Sequence, residues 1–385
     1  MIFQPLAQLE FGCKIVIIID ALDESGKDEA IAGLANRSAL VQTIVKKFAV
    51  LPSFVKIIIT AREEGSIQEF FGNKSFIFQK RMDEVLDTGS DIAKYLQFQF
   101  QKIRNVYKLP KDWPGRNIEN QLVIAADNLF VWPVVACSLI QKDPHAQLNN
   151  LLQLGFRLSY KKHLDTLYMH ILNTNYEEMD NHNWHYIVGT IVILRTPLTL
   201  DSLDLLLQLS PKNYSKTLIT GDSITLSSSR FILEKMLPLL RNQLEKGHVQ
   251  LLHKSVYDFL LHKENIPFAI DVRAQNQVVA MQCISHMNQT LTYNICNIEN
   301  TALLNNEIAE PVNHYISESL QYACCFFVSH LERSLAVKNL QLLEAIDCFV
   351  QKHILHWMEA MSWLEKVVDA TNILKAFLQY LVCYD

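Results

Sequence analysis

Three carboxylates, Asp20, Asp23 and Glu24, stand within five residues of one another, directly after the run Ile15-Val16-Ile17-Ile18-Ile19. In open parallel sheets, ligands bind at the carboxyl ends of strands. An acid there holds Mg²⁺ through its water shell, and the ion bridges nucleotide phosphates. A second acid orients or deprotonates an attacking water. The spacing therefore predicts Asp20 as the magnesium residue and Asp23 and Glu24 as the catalytic pair. Acids so close repel one another, so a cation or strong hydrogen bonds should accompany them. The plain alternative is an acidic loop that merely ends a strand.

A second apolar run, Val55-Lys56-Ile57-Ile58-Ile59-Thr60, leads into Ala61-Arg62. An arginine beside the acids, at the rim of the same sheet, is placed to reach a γ-phosphate. The alternative is that Arg62 neutralises Asp20 or Asp23.

These side chains need elements to hold them. Five consecutive β-branched residues suit a strand buried on both faces, as in a parallel sheet. Between the two runs, Ser38 is placed to cap a helix with the stripe Leu40, Val41, Ile44, Val45 and Phe48. Strand, helix, strand makes a βαβ unit with a right-handed crossover. Residues 75–78 are expected to form a third, shorter strand. Beyond residue 85 the text turns helical. A capped start is expected at Ser90, and helices over 118–126 and 129–141 are parted by Asp127-Asn128. Over 184–262, helices at 185–194, 201–209 and 230–240 precede a strand at 247–252. A last helix, capped by Ser255, follows through 261, which together make a winged-helix pattern. From 266 onward long apolar stripes recur, such as Leu340, Leu343, Ile346, Phe349 and Val350. The expected fold class is a partial α/β P-loop sheet at the N-terminus followed by mostly α domains, including a winged-helix domain. The domain bounds are 1–82, 83–165, 166–262 and 263–385.

Composition narrows the function. The chain has 385 residues, 49% hydrophobic, enough to build packed cores and to argue against disorder. A net charge of -5 implies no polyanion partner. The candidate recognition helix, 201–209, carries Asp201 and Asp204 and no base, so phosphate contact would be repulsive and no nucleic acid is expected. Eight cysteines at irregular spacing, with no C-x-x-C pair, fit a reduced, cytoplasmic setting. The longest apolar run, 129–140, contains Pro133 and falls short of the roughly 20 residues of a membrane span. His182 and His185 lack a further ligand at fitting distance, so no histidine metal site is expected.

The string Asp20-Ala21-Leu22-Asp23-Glu24 after its apolar run resembles the Walker B string of the NACHT family of STAND P-loop NTPases. The match is to the NLR-like version found in large fungal proteins. Thr60-Ala61-Arg62-Glu63 resembles the family's sensor strand, which typically ends Thr-Ser-Arg-Pro, with Ala61 and Glu63 as departures. Residues 125–132, Ala-Ala-Asp-Asn-Leu-Phe-Val-Trp, resemble its A-D-G-L-F-I-W stretch, with Asn128 at the glycine. Asn tolerates a left-handed cap, so that turn can survive. Residues 252–260, Leu-His-Lys-Ser-Val-Tyr-Asp-Phe-Leu, resemble L-H-x-S-F-x-D-F-L. Residues 320–324 and 356–360 also look familial.

The resemblance implies a switch governed by ATP/ADP exchange and oligomerisation, with Mg and ATP or ADP as cofactors. His253 would contact the phosphates of bound ADP and hold a closed state. The alternative for His253 is a structural histidine beside a helix cap at Ser255. Self-association or protein partners through flanking domains are implied.

One part of the family pattern is not found. A P-loop needs G-x-x-x-x-G-K-[ST], whose backbone N–H groups and lysine hold phosphates. Gly26-Lys27 follows the acids and is succeeded by Asp28, so it is no substitute. In the family that loop precedes the Walker B strand. The expectation is therefore a chain truncated ahead of that strand, binding nucleotide weakly or not at all and not hydrolysing it. The competing reading is a non-enzymatic helical interaction module with relic acids.

Overall fold

A computed structural model describes residues 14–24, 31–48, 51–62, 71, 76–82, 88–155, 163–174, 181–209, 214–217, 223–226, 228–241, 244, 247–262, 267–298, 312–334 and 339–384. The chain separates into two compact units, Met1–Val85 and Leu86–Asp385.

In the first unit, strand β1 (Ile15–Ile19) leads through a short 3₁₀ turn (Leu22–Glu24) to helix α1 (Ile31–Phe48) and then strand β2 (Val55–Ile59). The strands run parallel, with Ile15 opposite Val55 and Ile19 opposite Ile59. This is the expected strand, helix, strand order. Leu22, Val41 and Ile44 form a small core, with Ile19, Ile59 and Phe71 packed on it. Each such burial stabilises by about 1.5–3 kcal/mol.

Three details differ from the sequence expectation. The strands are covered on one face only. Val16, Ile18 and Ile58 are 53%, 68% and 53% exposed, because α1 covers the face that carries Ile19 and Ile59. Helix α1 begins at Ile31, so Ser38 lies inside it and not at its cap. Residues 76–80 are irregular, and Phe78 is 90% exposed, so the expected third strand does not form there. Ser75, its first residue, lies outside the described residues.

The second unit is mostly helical. Helices α2 (Thr88–Tyr107), α3 (Arg116–Ala126), α4 (Val131–Ile140) and α5 (Pro144–Gly155) pack on one another. Helix α2 buries Ile92, Leu96, Phe100 and Ile103, one stripe at helical spacing. It starts two residues ahead of the Ser90 expected as its cap. Helix α3 ends at Asp127, in the left-handed conformation with φ 47°, and Asn128 follows at φ 60°. Two short polar side chains thus make the turn where a glycine would be usual.

Helices α6 (His163–Asn173), α7 (Asn181–Ile193) and α8 (Leu200–Leu206) follow. An antiparallel hairpin, β3 (Tyr214–Thr217) with β4 (Ser223–Leu226), then precedes helix α9 (Ser228–Lys235) and a 3₁₀ turn at Leu237–Leu239. This hairpin lies ahead of α9, whereas the winged-helix pattern puts its strand after that helix, at 247–252. The strand expected at 247–252 is reduced to two isolated antiparallel bridges, Thr199 with His248 and Leu240 with Leu251. Helix α10 (Lys254–Leu261) closes the region.

The remaining elements are α11 (Val272–Thr290), the single turn α12 (Val312–Tyr315), α13 (Glu318–Leu331), α14 (Leu340–Cys348), α15 (Ile354–Trp363) and α16 (Val367–Tyr384). A π-helical turn, Phe349–His353, joins α14 to α15. No described helix is long and apolar enough to cross a membrane. Helix α11 packs against both α13 and α7. Its approach to α7 is close: a Cβ on Gly189 would meet the Gln275 side chain at 2.7 Å. The Gln275 amide there donates to Thr190 Oγ1 (3.1 Å) and to the Tyr186 carbonyl (3.2 Å).

A buried polar chain ties α11 to α13. The Arg195 N–H donates to the Tyr322 hydroxyl (3.1 Å), which lies 2.7 Å from His330 Nε2. Asn276 Oδ1 can only accept, so His330 Nδ1–H donates to it (2.7 Å), Nε2 keeps its lone pair, and the Tyr322 hydroxyl donates to Nε2. The Asn276 amide in turn donates to the Val272 carbonyl (2.7 Å). Burial pushes His330 down to about 3 and the Tyr322 phenol well up, so both stay neutral. A second link is Glu318. It accepts from the Thr199 N–H (3.1 Å) and Thr199 Oγ1 (2.6 Å), and sits 2.8 Å from His248 Nε2. Burial opposes ionisation of Glu318, but hydrogen bonds from Ser202, Thr199 and His248 outweigh it and hold its carboxyl below the usual range.

Two outcomes follow. Trp357 is fully buried and donates to the Cys324 carbonyl (3.0 Å). Trp357→Ala should cost about 3–5 kcal/mol in denaturant unfolding, whereas Leu355→Ala, at a residue 72% exposed, should cost under about 0.5 kcal/mol. His330 stays neutral when folded down to about 3, while the unfolded chain takes up a proton near the ordinary 6.5. The unfolded state binds more protons between those values, so this group's contribution is whole above about 6.5 and is lost as pH falls toward 3. His330→Gln should flatten the acid limb of a stability-against-pH curve by about 1.4 kcal/mol per pH unit.

Candidate functional site

In the first unit, the carboxyl ends of β1 and β2 are fastened together by Thr60. Its N–H donates to the Ile19 carbonyl (3.0 Å) and its carbonyl accepts from the Leu22 N–H (2.9 Å). Its hydroxyl accepts from the Ala21 N–H (2.8 Å) and donates to Asp20 Oδ1 (2.5 Å). Ala21 stands at φ 51°, a left-handed conformation that turns the chain off the strand. Asp20 is exposed at the rim. The next acid faces the other way. Asp23 is 3% exposed, beneath the rim. Its Oδ1 accepts from the Arg62 backbone N–H (3.1 Å), and its Oδ2 lies 3.7 Å from Arg62 Nε.

Asp20, Asp23 and Arg62 therefore share one rim, as the spacing predicted, but with a division among them. Asp20 turns toward solvent with one oxygen held by Thr60. Asp23 turns inward and orients Arg62, whose side chain remains 42% exposed. The backbone of Glu24 completes the 3₁₀ turn, and its side chain lies outside the described residues. An exposed carboxylate beside a hydroxyl suits a cation held through water. Among the described residues no group of three or more His, Cys, Asp or Glu gathers as a metal cage.

His253 belongs to the second unit. It is the N-cap of α10, with its ring nitrogen Nδ1 accepting from the Ser255 N–H (3.1 Å). The sequence placed that cap at Ser255. The imidazole takes the role because its acceptor nitrogen reaches the second N–H of the helix, as a short polar side chain would. Ser255 instead uses its hydroxyl twice, 2.8 Å from His253 Nδ1 and 2.8 Å from the Tyr168 hydroxyl. Tyr168 comes from α6, fully buried, with its ring edge-on to Phe259 at 5.5 Å between centroids.

Two participants went unread in the sequence. Thr60 had a signal, a hydroxyl residue closing a strand of isoleucines. Tyr168 had none, since only the packing of α6 on α10 brings it to Ser255. The Asp23 pair gives a direct test by amide exchange. Asp23→Ala should speed exchange at the Arg62 N–H about tenfold or more, for a lost hydrogen bond to a charged group of about 1.5–3 kcal/mol. Asp23→Asn keeps an oxygen in place and should retain most of the protection. Equal protection in wild type and Asp23→Ala would show that the carboxylate does not hold the loop.

No protein-family model matches the chain, and no solved structure does. Among curated proteins, the chain is similar to the vegetative incompatibility protein HET-E-1 of Podospora anserina, with 20% identity over 381 residues. The match takes in 93% of this chain and 26% of HET-E-1. The chain thus spans about a quarter of the length of the curated relative it matches.

Proposed function

We propose that this chain is part of a NACHT-type signalling switch whose oligomerisation is set by the nucleotide it holds. One observation carries the reading: two parallel strands in register bring Asp20, Asp23 and Arg62 to a single carboxyl rim. Asp20 would hold magnesium through water, with Thr60 fixing its second oxygen. Arg62 would meet the terminal phosphate, and Asp23 would set its direction. Asp23 and Glu24 would be the acids that act on a water nucleophile. His253 would donate to a phosphate and hold the closed state. Bound magnesium nucleotide would supply the concentrated negative charge that these cations and donors read.

Further support comes from the order of elements over 166–262. Helices α7, α8 and α9 are interleaved with the bridges at Thr199–His248 and Leu240–Leu251, which agrees with a compressed winged helix. The distant likeness to a vegetative incompatibility protein points the same way. Self-association or protein partners, in a cytoplasmic setting and without nucleic acid, complete the reading. The residues present fit the magnesium side of such a site better than the phosphate side. The 385 residues contain no G-x-x-x-x-G-K-[ST], so the backbone cradle for the β- and γ-phosphates is not supplied by this sequence.

A second reading is favoured by one contact. Asp23, an acid assigned to catalysis, is buried against Arg62 and already used. On that reading the rim is a relic and the helical unit is a non-enzymatic interaction module.

Calorimetric titration of the chain with Mg·ADP and Mg·ATP should give a Kd weaker than about 1 mM, an affinity below ~4 kcal/mol. Micromolar binding would overturn the weak-binding expectation. Sequencing the transcript 5′ of the Met1 codon separates the two readings. An in-frame G-x-x-x-x-G-K-[ST] there supports the switch, and a transcript that opens at Met1 leaves the interaction module.

A further inference from the structure

Helix α13 carries Cys325, half-buried, and its Sγ accepts a hydrogen bond from Lys366 Nζ at 3.3 Å. The two residues are 41 apart in sequence. Both backbones are held. Lys366 stands between α15 and α16, after Glu365 in the left-handed conformation at φ 57°. Its N–H donates to the Met361 carbonyl (2.9 Å), and its carbonyl accepts from the Ala370 N–H (2.8 Å). One residue before Cys325, the Cys324 carbonyl accepts from Trp357 Nε1 (3.0 Å). A thiol and a primary amine thus face each other at the separation of atoms about to react, roughly 3–3.5 Å. Cys137, Cys283, Cys296 and Cys324 are buried, so a small oxidant reaches Cys325 more readily than any of these.

We propose that Cys325 and Lys366 form a redox cross-linking site, at which hydrogen peroxide joins Sγ to Nζ and ties α13 to the start of α16. The chemistry needs one equivalent of peroxide. As the thiolate, the sulfur attacks one peroxide oxygen and the O–O bond breaks. The thiol becomes a sulfenic acid, and its former proton leaves with the displaced hydroxide as water. Sulfur gives up two electrons and the peroxide takes them. The neutral amine of Lys366 then attacks the sulfur, as a backbone nitrogen does in forming a sulfenamide. The S–O bond breaks, and the hydroxyl departs with a proton from nitrogen as a second water. The chain gains one S–N bond and loses two hydrogens. Thiols reverse the step: one attacks the sulfur and frees the amine, and a second reduces the mixed disulfide. Local charge sets the pace. Burial pushes the Cys325 thiol up, the Lys366 hydrogen bond and charge pull it down, and Asp369 adds to the rise, with burial prevailing. The resting sulfur is protonated, so the pair answers sustained peroxide and not traces of it.

The test is peptide mass spectrometry of the full chain, treated with excess hydrogen peroxide, quenched with iodoacetamide without reductant and digested with trypsin. The peptides holding Cys325 and Lys366 should appear as one linked species, two hydrogens lighter than their sum and uncut at Lys366. Dithiothreitol should release both. Lys366→Arg keeps a positive donor but removes the primary amine, and the linked species should vanish from it, as from Cys325→Ser. Peroxide added in concentrated urea should lower the linked yield at least about tenfold, since chance encounter replaces the held contact. The linking rate should climb about tenfold per pH unit while the thiol stays mostly protonated. A rate indifferent to pH overturns the thiolate route. So does Cys325 left unoxidised, or carried to sulfinic acid with Lys366 free. Linking as efficient in urea as in the folded chain shows that the fold does not direct it, and a linked pair that retains an added oxygen rules out the S–N bond. Should a variant not fold, the wild-type chain with and without urea decides alone.

Discussion

A polar group withdrawn from water must find a partner, and much of this chain is arranged around that requirement. In the first unit, Asp23 is buried and answers it with Arg62, while Thr60 satisfies three backbone groups and one carboxylate where two strands end. In the second, His330 lies in a chain running from the Arg195 N–H to the Val272 carbonyl in which each donor has one acceptor. Apolar burial supplies most of the stability in both units. It is non-directional, however, and these bonds are what fix the register of one element against the next.

The same requirement explains what was legible in the sequence. The isoleucine runs and their trailing acids predicted a parallel pair with Asp20, Asp23 and Arg62 at one rim, and they lie there, because period and strand polarity decide which end a residue occupies. Helix existence was likewise readable from apolar spacing in α2, α3 and α4. Side-chain direction was not. Asp20 and Asp23 read alike as letters, yet one faces solvent and the other the interior, since a left-handed Ala21 intervenes. The cap at His253 was misplaced by two residues, because serine is the commoner cap and the imidazole competes with it only in the folded geometry. The short strand near 250 was overread, as its apolar alternation finds only single bridges to pair with.

These placements bear on the two functional readings unequally. An exposed Asp20 keeps the magnesium role open, and an oriented, half-exposed Arg62 keeps the phosphate role open. The inward Asp23 serves the arginine more plainly than it serves a water. On the proposed switch reading, one acid would serve the ion while the other orients the arginine.

Glu318 has a mechanical consequence. Its carboxylate sits at the first turn of α13 and grips Thr199 and His248, two segments that are themselves bridged. Pulling α13 away would break three hydrogen bonds to one carboxylate at once. One carboxylate therefore joins the start of α13 to two segments more than sixty residues away in sequence, and α13 in turn packs on α11, so the region around Thr199 and His248 and the C-terminal helices share one continuous set of contacts.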